Sequence, residues 1–210
     1  MDAIYQRQLA RLNYVNPEDL LREIMPTVVA ILQRPETVQH LSRREQNALL
    51  EKHQAGFLGL FTKRIAERVN VEVKVAFKEE ADFDCVLRAI APGMPISYKP
   101  VQLKQLPSHE TNAGATLQDL IEGLKRTYPA STDLVVGVWI NRNVNLLFEE
   151  LDFTGLRIEQ LWFFADAIWG ELTLDGGFVS ELVNGLRWWS ALTGPDLRGG
   201  RARFRPLQPA

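Results

Sequence analysis

Cysteine, histidine and methionine are scarce in this chain of 210 residues, which holds one, three and three of them respectively. The single Cys85 excludes an intrachain disulfide, so a reducing compartment is the expectation. His40, His53 and His109 lie too far apart in sequence for metal-ligand spacing, so no zinc site is assigned. No apolar run approaches the ~18 residues that cross a bilayer, and the opening Met-Asp-Ala-Ile-Tyr-Gln-Arg-Gln lacks the apolar stretch of a signal peptide. A cytoplasmic location is therefore expected. Glycine pairs occur at Gly176-Gly177 and Gly199-Gly200, which read as a turn and part of a tail rather than as a phosphate-binding loop.

Net charge is also small. The balance of 24 Lys+Arg against 26 Asp+Glu gives −2, which is not the overall signature of a nucleic-acid binder. Its distribution is uneven. Residues 131–197 carry three basic and ten acidic side chains, whereas 198–210 carry Arg198, Arg201, Arg203 and Arg205 and no acid. That tail is a candidate clamp on a DNA backbone, with a purely solubilising role as the plain alternative.

The bulk composition is that of an ordinary globular chain, 46% apolar and 24% charged. Residues 1–24 read as helical, with a break at Asn16-Pro17, where Asn caps and Pro starts a second short helix; Pro26 and Pro35 punctuate the stretch up to residue 41. Ser42 to about Val69 carries apolar residues at helical spacing, and Ser42 with Glu45 forms a capping-box signature. The period then drops to two. Val71 to Phe77 alternates as a half-buried strand, Glu79 to Asp82 reads as a hairpin turn, and Phe83 to Ile90 as a second strand. Ile96 to Leu106 is a third, with Pro100 pointing to a bulge or irregular edge. A polar loop spans Pro107 to Ala115. A helix is expected from Thr116 to Tyr128 behind a Thr116/Asp119 box, and Leu134 to Ile140 reads as a buried strand. Beyond Asn145 the chain is aromatic-rich. A strand-like Glu171-Leu172-Thr173-Leu174 and a helix from Phe178 to Thr193 with Trp188-Trp189 are expected there. The tryptophans at 162, 169, 188 and 189 read as core or subunit interface rather than as base-stacking platforms.

Two segments carry polar side chains that a strand core does not need. Asp84 opens the run Asp-Cys-Val-Leu-Arg, and Gln102 and Lys104 stand two apart in Val-Gln-Leu-Lys-Gln-Leu. Alternation puts Gln102 and Lys104 on one face of their strand. If the two runs are neighbours, a carboxylate, an amide oxygen and an ammonium converge. Such a group suits a divalent cation held by oxygen ligands, beside a lysine that stabilises charge on a phosphate. Asp84, Gln102 and the Leu103 carbonyl are the candidate ligands and Lys104 the catalytic cation. A helix acid, Glu51 in preference to Glu45, is the candidate fourth member, because Gly56 and Gly59 nearby permit close packing of that helix. The competing reading of Gln102 and Lys104 is a solvated strand face; Asp84 competes as a turn residue with Asp82, and Glu51 as a residue of an exposed helix face. Cys85 reads as a small buried residue. Ser108, His109 and Glu110 suggest a hydrolase triad, but adjacent residues rarely meet that geometry.

The order helix, three strands, helix, strand over residues 42–141, with Glu51, Asp84 and Gln102-Leu103-Lys104 at its marked positions, resembles the PD-(D/E)XK nuclease superfamily. The departure is Gln102, where that superfamily usually has an acid; a Gln-x-Lys variant occurs in its Mrr-like and TnsA-like branches. The resemblance implies a restriction-endonuclease-like α/β sandwich with a central mixed sheet and helical extensions at both ends. Its implied organisation is a helical extension at 1–41, a nuclease-like core at 42–145, an aromatic-rich extension at 146–197 and an Arg-rich tail at 198–210. It also implies Mg²⁺- or Mn²⁺-dependent cleavage of DNA by a homodimer. A fold-bearing but inactive protein-interaction module is the alternative.

Overall fold

Helix starts in the first half of the chain are set by two polar caps. The computed structural model describes residues 3–80, 83–142, 150–166 and 186–193. After α1 (Ala3–Ala10), Asn16 Oδ1 accepts the Glu18 N–H at 3.1 Å and Pro17 opens α2 (Pro17–Gln33). An orphan donor of the first turn is thereby satisfied, and proline is harmless where no N–H bond is due. Ser42 begins α3 (Arg43–Glu67) with the expected reciprocal box: its hydroxyl accepts the Glu45 N–H and its own N–H donates to Glu45 Oε2 at 2.7 Å. Hydrogen bonding to Ser42 holds the Glu45 carboxyl below its usual range. The α2 helix is not short. It runs on through Pro26, whose place inside it removes one backbone bond, and ends only before Pro35.

The chain divides into two compact units, Met1–Leu103 and Lys104–Ala210. In the first, α2 and α3 approach closely because Gly56 has no side chain. A Cβ there would lie 2.8 Å from Leu21 Cδ2, inside any real contact. Gly59 does the same toward the strands: its Cβ would lie 3.2 Å from Pro17 Cγ and 3.5 Å from Val75 Cβ. Those strands are β1 (Glu72–Glu80), β2 (Phe83–Ile90) and β3 (Ser97–Leu106), paired antiparallel in sequence order. Both faces are buried at their centre, by Val75, Cys85 and Val101 on one side and Ala76, Val86 and Pro100 on the other. Val15 bonds Val75 in both directions, at 2.9 and 3.0 Å, and so covers part of the outer edge of β1. Pro100 makes no bulge. It stands opposite Val86 in an unbroken register, since an antiparallel ladder exchanges bonds only at alternate pairs.

The second unit holds the last three residues of β3, then α4 (Leu117–Thr127), β4 (Ser131–Ile140), β5 (Ile158–Asp166) and β6 (Leu186–Thr193). Thr116 caps α4 as expected, accepting the Asp119 N–H at 3.1 Å. The β4 and β5 strands run parallel, with Val136 opposite Leu161 and Val138 opposite Phe163, while β5 and β6 are antiparallel. The class is thus α/β with mixed strand pairing. The C-terminal extension is not helical where it is described. Leu186–Thr193 forms a strand in place of the expected helix, because it pairs antiparallel with β5 and its two tryptophans suit a pleated surface. The strand-like reading of 171–174, the helical reading of 178–185, Trp169 and the arginines of 198–210 lie outside the described residues. So does the centre of the hairpin turn, residues 81–82, although β1 already extends to Glu80. No helix among the described residues is long and apolar enough to cross a membrane.

Candidate active site

The ladder between β2 and β3 is registered from Ala89 opposite Ser97 down to Cys85 opposite Val101. One residue further on, the side chain of Asp84 takes over. Its Oδ2 accepts the Leu103 backbone N–H at 2.6 Å and also the Gln102 side-chain N–H of Nε2. A short carboxylate therefore occupies the end of the ladder and binds the neighbouring strand with charge-assisted hydrogen bonds. Asp84 is half-buried, and Gln102 is only 8% exposed. A buried amide needs a partner, and Asp84 supplies it.

Two of the sequence candidates are thus brought together, with Leu103 beside them in a role that differs from the expected one. Leu103 contributes an N–H donor to Asp84, in addition to the carbonyl considered as a ligand. Only one oxygen of Asp84 is engaged among the described residues; Oδ1 accepts no hydrogen bond there. Lys104, the next residue of β3 and the first of the second unit, is half-buried. Its Nζ lies 5.8 Å from the centroid of the Tyr128 ring. Glu51 is exposed on α3. That helix meets the sheet at Val75, and the next residue of α3, Lys52, lies with Nζ 5.8 Å from the Phe77 ring centroid. Val75 and Phe77 share a face with Leu87 and Cys85, their ladder partners. Alternation places Asp84 and Gln102 on the opposite face, so the structure does not bring Glu51 to them by the route the sequence suggested. Glu45 is committed to the Ser42 cap.

Among the described residues, no group of three or more His, Cys, Asp and Glu side chains is arranged to hold a metal ion. The donors present are one free carboxylate oxygen, one amide oxygen and a strand carbonyl. This set suits a hard cation such as Mg²⁺ that keeps several waters and relies on substrate phosphates for part of its shell. The donors fit such an ion in kind and supply a single negative charge.

The remaining candidates are structural. Cys85 is fully buried, and burial together with the Asp84 charge pushes its thiol up, away from the thiolate a nucleophile needs. In the polar loop, Ser108 Oγ lies 3.1 Å from Thr111 Oγ1 and accepts the Thr111 N–H, closing a turn, while His109 is exposed. His53, buried against Phe57 with ring centroids 4.6 Å apart, is pushed down to about 4 by desolvation. Sequence reasoning missed Arg142. Its guanidinium donates to the carbonyls of Pro107 (2.5 Å), Asn112 (2.8 Å) and Ala115 (3.0 Å), tying the loop after β3 to the end of β4. Nothing local in Ile-Asn-Arg-Asn marks that role. Comparison of this chain with protein-family models, with curated proteins and with solved structures finds no match to any of them.

Proposed function

We propose that the chain is a metal-dependent nuclease of the PD-(D/E)XK type, acting on DNA, with Asp84, Gln102 and Lys104 as its working residues. The observation that carries the reading is the meeting of the Asp84 carboxylate with Gln102 at the end of the β2–β3 ladder. It is supported by the order α3, β1, β2, β3, α4, β4, which is that of the restriction-endonuclease-like core. When bound, Mg²⁺ or Mn²⁺ on Asp84, Gln102 and the Leu103 carbonyl would supply a nucleophilic water at neutral pH and charge neutralisation on the phosphate. Asp84 offers its unengaged Oδ1. Gln102 turns its nitrogen to Asp84, which leaves its own amide oxygen as the second donor. The Leu103 N–H fixes the carboxylate against rotation. Lys104 supplies an ammonium to hydrogen-bond the attacking water and the phosphate oxygens. Glu51 is left out of the proposed set, because α3 packs on the sheet face opposite Asp84 and Gln102; a homodimer is the proposed assembly.

Incubation with plasmid DNA in Mg²⁺ or Mn²⁺ tests the reading. Cleavage is expected, with loss of ~10²-fold or more in Lys104→Ala, the scale on which a single preorganised charge stabiliser acts. Absence of metal-dependent cleavage, or equal cleavage by the variant, refutes it. One observation favours a second reading, a protein-interaction module that keeps the fold. Asp84 already has a structural task in satisfying the Leu103 N–H and the Gln102 amide. Calorimetry distinguishes the two, since the module binds no Mn²⁺ and its partner binding is unchanged by Asp84→Asn.

A further inference from the structure

Arg88 lies four residues along β2 from Asp84, on the same face of the first unit, about 13 Å away at the usual strand rise. Its surroundings are largely aromatic, and Lys74, with the help of the Arg88 charge, holds the Glu72 carboxyl below the usual range. The guanidinium carbon sits 4.6 Å from the centroid of the Tyr14 ring, and Tyr14 in turn meets Tyr98 with centroids 5.8 Å apart. Tyr98 is the ladder partner of Arg88 on β3, and Lys74 is its partner on β1. The Tyr14 hydroxyl is already used, donating to the Leu9 carbonyl at 2.9 Å. The nearby acid, Glu72, is occupied by Lys74 at 2.9 Å. Among the described residues Arg88 has no hydrogen-bond acceptor: its Nε is buried and unbonded.

A half-buried guanidinium with unused donors is costly unless something completes it. Stacking on Tyr14 holds the planar fork in place and leaves its N–H edge to a planar or tetrahedral oxyanion. The geometry points to a phosphodiester-binding position: Arg88, held on Tyr14 and flanked by Lys74, takes a backbone phosphate of the same nucleic-acid strand that reaches Asp84, further along it than the adjacent phosphate. This inference rests on the nuclease reading for its substrate class and adds a contact that binds without reacting.

The test uses the full chain, a fluorescein-labelled single-stranded oligodeoxynucleotide and anisotropy in EDTA, where neither metal nor turnover enters. Arg88→Gln is expected to weaken binding ~10-fold and to reduce the slope of log affinity against log salt by about one, as loss of a single phosphate contact does. An unbound wild type, or Arg88→Gln with wild-type affinity and slope, overturns the proposal. Should Arg88→Gln fail to fold, Arg88→Met replaces it; it keeps an apolar stem against Tyr14 without the charge, and wild-type affinity and slope there also overturn the proposal. Displacement of the oligonucleotide by inorganic phosphate at matched ionic strength assigns the position to free phosphate, and the nucleic-acid assignment then falls. The two readings fail separately. Binding through Arg88 without plasmid cleavage removes only the nuclease reading, and cleavage indifferent to Arg88 removes only this one.

Discussion

Replacing Asp84 by alanine removes an acceptor on which two donors of β3 converge. The Leu103 N–H belongs to a buried strand residue and the Gln102 amide to a side chain 8% exposed. Hydrogen bonds to a charged group contribute ~1.5–3 kcal/mol each, and a buried donor left unpaired costs ~1–3 kcal/mol. Gln102 regains a partner by rotating, whereas the Leu103 N–H is fixed in the backbone, so the two terms do not add in full. The expected loss is about 2–4 kcal/mol. In a chain of this length each kcal/mol shifts Tm by ~2–4 °C, so Asp84→Ala is expected to melt ~4–16 °C lower. Asp84→Asn keeps one acceptor oxygen but not the charge, and a loss of about 1 kcal/mol is expected. Thermal melting and urea unfolding measure both. A change under about 0.5 kcal/mol for the alanine variant, the range of an ordinary surface substitution, refutes the claim that Asp84 closes the ladder. A gain in stability is a different refutation, since it marks a residue kept for chemistry at the expense of packing.

The other predictions concern packing, pH and the loop. Gly56→Ala should destabilise by about 1 kcal/mol by chemical unfolding, because overpacking against Leu21 outweighs the gain in helix propensity; an unchanged or higher midpoint counts against the close α2–α3 approach. His53 is neutral in the fold well below its ordinary value, whereas the unfolded chain takes up a proton near pH 6.5. Stability is therefore full above about pH 6.5 and falls as pH drops toward about 4, by ~3 kcal/mol in all, and His53→Leu should abolish this contribution to the slope. Arg142→Ala should lower stability by about 2 kcal/mol and admit protease nicking between residues 107 and 115; an intact loop in the variant refutes the clamp.

Local chemistry made much of this chain legible. The Ser42/Glu45 box, the Asn16 cap and the period-two run through β1 each depend on residues within a few positions, and Phe83–Ile90 emerges with the bounds expected of it. Reading failed where the deciding partner is distant in sequence. Pro26 looks like a stop and is overridden because α2 packs its Leu21, Ile24 and Val28 into the core on both sides of it. Leu186–Thr193 has no clear period of its own and becomes a strand by pairing with β5. Pro100 marks no irregularity because the ladder at Val86 continues through it. The site shows the same division. Asp84 and Gln102 were identifiable as polar residues misplaced in apolar strands, and β2–β3 pairing brings them together. Glu51 is suggested by its proximity to Gly56 and Gly59, but those glycines serve Leu21, Pro17 and Val75. They set the depth of α3 and do not aim its acids. Arg88 and Arg142 gave no local sign, since only the burial of one and the three carbonyls around the other distinguish them.

Gln102 connects these results. An acid at this position would face Asp84 across hydrogen-bond distance with nothing between the two charges, and a half-buried carboxylate pair raises one pKa unless a cation lies between them. The amide avoids that repulsion by donating to Asp84, so the strand ends remain joined without a cation. Glutamine therefore joins the strand ends with no cation between them, and under the proposed nuclease reading it leaves one negative charge fewer to hold a metal. The substitution Gln102→Glu separates these effects. It should weaken the fold without metal and strengthen the response to it, so that Mn²⁺ raises the melting temperature of the variant by more than that of the wild type. Melting with and without Mn²⁺ measures the difference. A variant as stable as the wild type and indifferent to Mn²⁺ would show that Asp84 and position 102 do not share a cation site.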